Sequence, residues 1–295
     1  MADAYVAVAF AVVSALIATL LPHLFKMMPE AWLQDYDYDS KAENVRLARR
    51  LQMKPHGIIL AIVLFVFVLI GVWLNQRHYN QFRLFNILLI ILPLYPLSLI
   101  VVSDKLNRII PDQLVAISAS LGIFGILTDL LEGNLWFDAE ASVTILLVNR
   151  FAGAIIGAGL LLLIGFIGRL ISGQDAMGMG DVKFIFACGM LSGGFGLIFV
   201  FCIAFVVGGI VSVPLLIRKR RRIAREEHMI LESPNPARAR RVLEKKKKEM
   251  NFADNPDYVA FGPFLALGTA LFLVFEPLIH SYYLTNILPS LELML

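Results

Sequence analysis

The sequence predicts an all-α polytopic membrane protein of about eight transmembrane helices with two cytoplasmic loops. Three observations carry this reading. The 295 residues are 58% hydrophobic and 17% charged, where a soluble domain would be ~45–50% apolar and ~25% charged. Mean hydropathy is +0.74. Uncharged runs long enough for a bilayer core of ~30 Å, which takes roughly 20 helical residues, recur along the whole chain. An ordinary water-soluble enzyme and a disordered chain are both excluded. Two cysteines, Cys188 and Cys202, exclude a disulfide framework and a zinc site built on CxxC pairs.

The first run, 4–25, has no basic stretch before it, only Asp3, and reads as a retained span and not as a cleaved signal peptide. Residues 57–76, 84–103, 113–128 and 151–168 read as single spans. The run 184–217 differs: as one helix it would be about 51 Å long. Ser192-Gly193-Gly194-Phe195-Gly196 offers a break inside it, so two spans are expected, the first short. The run 259–275 is the last. The segments are then a first transmembrane helix (1–22), a cytoplasmic loop (23–56), a membrane core (57–217), a basic cytoplasmic loop (218–258), and a last transmembrane helix with a tail (259–295).

Charge orients these spans. With both termini outside, the inside segments 23–56, 104–112, 169–183 and 218–258 hold 6, 2, 2 and 13 of the 26 Lys and Arg. Only Arg77, Arg83 and Arg150 fall elsewhere. This is a strong positive-inside asymmetry. A seven-span reading would put Asp181 and the basic 218–248 segment on opposite faces and lose it.

In the first loop, the spacing of Val45, Leu47, Ala48 and Leu51 predicts a short amphipathic helix over Ser40 to Lys54. In the second, Ser233-Pro234-Asn235-Pro236 predicts a turn between two helices. The runs Arg218-Lys219-Arg220-Arg221-Arg222 and Lys245-Lys246-Lys247-Lys248 abut membrane spans and carry few aromatics. They read as attraction to anionic lipid and setting of topology, not as nucleic-acid binding.

Ionisable residues at membrane depth are functional candidates by default. Two stand out because they end spans on the same side: Asp104, at the end of the third span, and Asp181, in Gly178-Met179-Gly180-Asp181 between the fifth and sixth. Two carboxylates close together share one proton. The ionised one can take a proton from water, and the neutral one can polarise an amide carbonyl. Such a pair hydrolyses a peptide without a metal, cofactor or nucleophilic side chain, and it titrates as a unit. Gly178 and Gly180 lack a Cβ, so an extended substrate could approach the backbone there. The plainer reading is two helix-end acids, Asp181 capping its helix.

Three segments resemble the type IV prepilin peptidases, the GxGD membrane aspartic proteases. These are Asp104-Lys105-Leu106-Asn107-Arg108-Ile109-Ile110-Pro111-Asp112-Gln113-Leu114, then Asp175-Ala176-Met177-Gly178-Met179-Gly180-Asp181-Val182-Lys183-Phe184, and Phe261-Gly262-Pro263-Phe264-Leu265-Ala266-Leu267-Gly268. The resemblance covers about 104–275. It implies eight spans, Asp104 and Asp181 as the catalytic pair, Gly178 and Gly180 against the substrate, and no cofactor for the peptidase. It implies prepilin or pseudopilin substrates, cut after Gly behind a short basic leader, and a bacterial inner-membrane location. Asp112 is the nearest competitor and has its own reading as the first residue of the fourth span after Pro111. Lys105, Arg108 and Lys183 read either as tuning the pair or as inside-flank anchors.

The N-terminal part departs from the family. Bifunctional members carry a pair of CxxC zinc sites in the first inside loop; here no cysteine follows Leu20-Leu21-Pro22-His23. No metal is expected, and S-adenosylmethionine enters only if N-methyltransferase activity is retained. Glu30, Asp35, Asp37 and Asp39 are expected to attract the basic leader. The competing classes are a transporter or proton relay, which would place acids near mid-span, and a non-catalytic part of a pilus or secretion machine. Presenilin-like GxGD enzymes differ in having Tyr, not Ser103, before the first Asp.

Overall fold

The computed structural model describes residues 2–34, 47–52, 54–137, 142–173, 177–249 and 260–287. Its helices are α1 (Ala2–Ala18), α2 (Leu21–Met27), α3 (His56–Tyr79), α4 (Leu84–Asn107), α5 (Asp112–Glu132), α6 (Val143–Ser172), α7 (Met179–Leu231), α8 (Pro236–Glu249) and α9 (Gly262–Tyr282). No strand occurs among the described residues. In lipid, backbone N–H and C=O groups must be satisfied within the segment, so apolar runs of this length fold as helices. Among the described residues, seven helical stretches are long and apolar enough to cross a membrane. The protein is an all-α polytopic membrane protein.

The longest helix, α7, is not straight. Gly193 has φ 69° and ψ 178°, a backbone conformation that only glycine adopts readily. A Cβ placed on Gly157 of α6 would lie 3.0 Å from Leu197 and 3.3 Å from Ile185. In a straight helix those two residues would be about 18 Å apart. The chain therefore folds back at Gly193. Residues 194–208 return antiparallel to α9: Gly196 abuts Phe272, Gly268 abuts Val200 and Gly208 abuts Phe264. The first arm, 179–192, is about 21 Å long and the second, 194–231, about 57 Å. The seven apolar helices thus make eight passes, with the short one where the glycine run predicts it.

The second arm outruns a bilayer core and carries Arg218 to Arg222 beyond it. It ends at Leu231, and α8 starts at Pro236 after the Ser233–Asn235 turn. These are the two helices expected in the basic loop. The first loop differs from expectation. Residues 40–46 and 53 lie outside the described residues, and 47–52 are not helical. The backbone N–H of Ala48 donates to Glu30 and that of Arg49 to Asn107, and Pro55 disfavours helix in the residue before it.

The core runs between α3, α4, α7 and α9, through Val68, Ile87, Ile100, Phe184, Val200, Leu265 and Phe272. Ser14 and Tyr95 hydroxyls, 2.9 Å apart, tie α1 to α4. At the end of the bundle away from Asp104 stands Arg150, one of the three basic residues outside the inside segments. It is not in an outer loop but inside α6, 4% exposed. It donates to both Asp129 carboxylate oxygens at 2.7 and 2.9 Å, and to the Met190 and Leu191 carbonyls at 3.0 and 2.9 Å. Asn149 accepts the Gly194 N–H at 2.9 Å. The backbone groups freed by the break at Gly193 are satisfied by α6.

Candidate active site

Three helix ends build the site. At the first, α4 closes on Arg108, whose left-handed φ of 61° turns its N–H onto the Asp104 carbonyl at 3.0 Å. Ser103 Oγ donates to the Ile109 carbonyl at 2.7 Å, which tightens the reversal before Pro111 starts α5. Asp104 is left on the inward face, 6% exposed. At the second, Gly178 is extended, with φ −75° and ψ 140°, and α7 begins. Asp181 sits in its first turn, half-buried, with its N–H on the Gly178 carbonyl at 3.1 Å. At the third, α9 begins at Gly262-Pro263, where proline lacks an N–H that would be unpaired in any case.

Ile110 joins the three. It lies 3.4 Å from where a Cβ on Gly180 would stand and 3.0 Å from one on Gly262. A Cβ on Gly262 would also lie 2.6 Å from Asp104 Oδ2, so a side chain there would have to displace the carboxyl. Through Ile110 and Gly262 the Asp104 end of α4 and the Gly180–Asp181 turn of α7 meet at one junction. Asp104 Oδ2 and Asp181 Oδ1 are buried without a hydrogen-bond partner. Two carboxyls with unsatisfied oxygens at one helix junction can hold a single proton between them. They can act on a water and on an amide carbonyl together.

The remaining expected residues are placed as follows. Gly178 is exposed, and a Cβ on it would meet Asp181 Oδ2 at 3.5 Å; Gly180 is half-buried. Asp112, the first residue of α5, binds the Lys183 ammonium with both oxygens at 3.0 and 3.1 Å. It is thereby engaged with α7, two residues beyond Asp181. Lys105 is exposed. Of the acidic cluster, Asp35, Asp37 and Asp39 lie outside the described residues. Glu30 accepts from Gln34 at 2.8 Å, from the Ala48 N–H and from Arg50 at 2.5 Å. Burial alone would raise its carboxyl, but these three donors hold it below the ordinary 4.5.

Sequence reasoning missed Gly262 as a site residue, although the Gly-Pro helix start was visible. It missed Ile110 and Asn107 because nothing local marks them. It also missed the polar cluster at the far end, where Trp136 Nε1 donates to Glu276 at 3.0 Å near the Arg150–Asp129 pair. Asp129 lies near the far end of α5, whereas Glu276 stands near the middle of the Gly262–Asn286 span. Among the described residues no group of three His, Cys, Asp or Glu side chains could hold a metal ion.

Residues 87–213 match the model of the type IV leader peptidase family. The matched part is under half of the chain and contains Asp104, Asp181 and the Gly193 fold-back. The chain is similar to type IV prepilin peptidases, and a leader-peptidase type of function, that of an aspartic protease in a multi-pass inner-membrane protein, goes with the match. No curated protein and no solved structure matches the chain.

Proposed function

With that similarity as premise, we propose that the protein is a membrane aspartic endopeptidase that removes the basic leader from type IV prepilins or pseudopilins. Asp104 and Asp181 are its catalytic pair, and cleavage follows a Gly at the cytoplasmic face of the inner membrane. The observation that carries the reading is the convergence of these two carboxyls, from helices distant in sequence, at one end of the bundle. The positive-inside distribution puts that end in the cytoplasm and both termini in the periplasm.

The chemistry follows from the pair. The ionised carboxylate accepts a proton from water, and the water oxygen bonds to the scissile carbonyl carbon. The protonated carboxyl donates to the carbonyl oxygen. The gem-diol intermediate returns a hydroxyl proton to the pair as its C=O reforms, the C–N bond breaks, and the amine leaves with a proton from the pair. Which Asp plays which part belongs to the pair as a unit. The exposed Gly178 and the half-buried Gly180 leave an edge where an unwound substrate backbone can lie beside Asp181. The peptidase step draws on these side chains and water alone; S-adenosylmethionine is needed only if the new N-terminus is also methylated.

The test is cleavage of a tagged prepilin by the purified full-length protein. Asp104→Asn and Asp181→Asn should each lower the rate by roughly 10³-fold or more, within the range that acid–base groups contribute, with unchanged thermal stability. Cleavage by either variant at the wild-type rate would remove the assignment. Mass spectrometry of the product reports methylation in the same experiment.

A further inference from the structure

Residues 47–52 run past the end of α4, against Asn107. Their side chains alternate outward and inward from Leu47 to Arg50: Leu47 and Arg49 are exposed, Ala48 and Arg50 half-buried. This is the habit of an extended chain. Asn107 grips the segment by its backbone, accepting the Arg49 N–H at 2.8 Å and donating to the Arg49 carbonyl at 3.2 Å. Asn107 stands one helical turn from Asp104, on a neighbouring part of the same helix face. The next residue, Arg50, donates to the Phe25 and Met28 carbonyls at 3.2 and 2.7 Å and to Glu30 Oε2 at 2.5 Å. Leu51 is buried in the core.

A backbone clamp and a cation cradle thus stand side by side next to Asp104. Together they have the chemistry to recognise an extended peptide with an Arg or Lys beside the clamped residue. A paired amide reads backbone without regard to sequence. A carboxylate with two carbonyls selects a guanidinium or ammonium. In this structure the chain fills both with its own Arg49 and Arg50.

We propose that residues 47–52 are a built-in occupant of the leader-binding site, and that a substrate's basic leader displaces them from Asn107 and the Glu30 cradle. This rests on the endopeptidase reading for the identity of the occupant. The chain's own segment then competes with substrate, so it sets KM and leaves the chemical step alone.

The test is binding of a fluorescent leader peptide, two lysines and an arginine ahead of a C-terminal Gly, to the full-length Asp181→Asn variant in nanodiscs. Adding Arg50→Gln should tighten binding at least fivefold, because the competitor is weakened while the cradle remains. Adding Glu30→Gln to that background should reverse the gain. In the wild type, saturating peptide should speed amide exchange at residues 48 and 49, whose N–H groups lose their acceptors. Unchanged or weaker binding with Arg50→Gln, or unaltered exchange at 48 and 49, overturns the proposal. Those outcomes leave the endopeptidase reading standing if the wild type still cuts prepilin and the Asn variants do not. Cleavage unaffected by the Asn variants would sink that reading instead.

Discussion

Gly262 is the residue on which the pair most depends without being part of it. Its missing Cβ leaves the space that Asp104 Oδ2 occupies, at 2.6 Å from the ideal position, so any side chain must push the carboxyl or α9 aside. Displacing a reacting group by about 1 Å costs roughly 10²-fold in rate. Gly262→Ala should therefore lower prepilin cleavage by about that factor, read as kcat at saturating substrate, while the folded state survives. Wild-type kcat in this variant would mean the carboxyl is not where the reaction happens. Glu30 makes a pH prediction. Its pKa is depressed in the folded state by Ala48, Gln34 and Arg50, so its contribution to holding residues 47–52 is complete above 4.5 and is lost as pH falls through the lowered value. The protection of the Ala48 amide, relative to its intrinsic exchange at the same pH, should fall on acidification below 4.5 in the wild type and be low at all pH in Glu30→Gln.

Among elements, the decisive one is the folded-back α7. Its first arm carries Asp181 at one end and meets the Arg150 guanidinium at the other, through the Met190 and Leu191 carbonyls. That contact fixes how deep the arm sits, and so the height of Asp181 relative to Asp104. The Arg150–Asp129 pair is buried, each side chain 5% exposed, and removing one partner of such a pair costs about 3–5 kcal/mol because the other charge is stranded. Asp129→Leu should lower the unfolding temperature of the solubilised protein markedly. Asp129→Leu with Arg150→Leu should recover part of the loss. If the single variant were as stable as wild type, the pair would be doing little for the fold. The first arm crosses little more than half the length of its neighbours, and close glycine contacts hold it: a Cβ on Gly189 would come within 2.4 Å of the Gly153 carbonyl oxygen, the small-residue packing that lets membrane helices approach.

For the whole molecule, eight passes put the Asp104 end and the 218–249 helices on one side and the Arg150 end on the other. In a Cys202→Ser background, a single cysteine at Asn235 should react with a membrane-impermeant thiol reagent only from the cytoplasmic side. One at Asn134 should react only from the periplasmic side. Labelling of both from one side would show an even number of crossings between them, as for an α7 that does not return.

The sequence alone determined the class of fold, the approximate spans, the turn at Ser233–Asn235 and the fold-back near Gly193. Composition and uncharged length decide what lipid will accept, and glycine runs decide where a helix can break. It also marked Asp104 and Asp181, since acids at span ends are rare enough to notice. It left the burial of Arg150 unseen, because Asp129 and the two freed carbonyls that gather round it are remote in sequence, and it misjudged residues 47–52, where a helical pattern yields when Glu30 and Asn107 take its N–H groups. Only the tertiary structure set Gly262 against Asp104 and laid the chain's own Arg50 in a cation cradle beside it. Such contacts depend on how three helix ends meet, and no local spacing encodes that meeting.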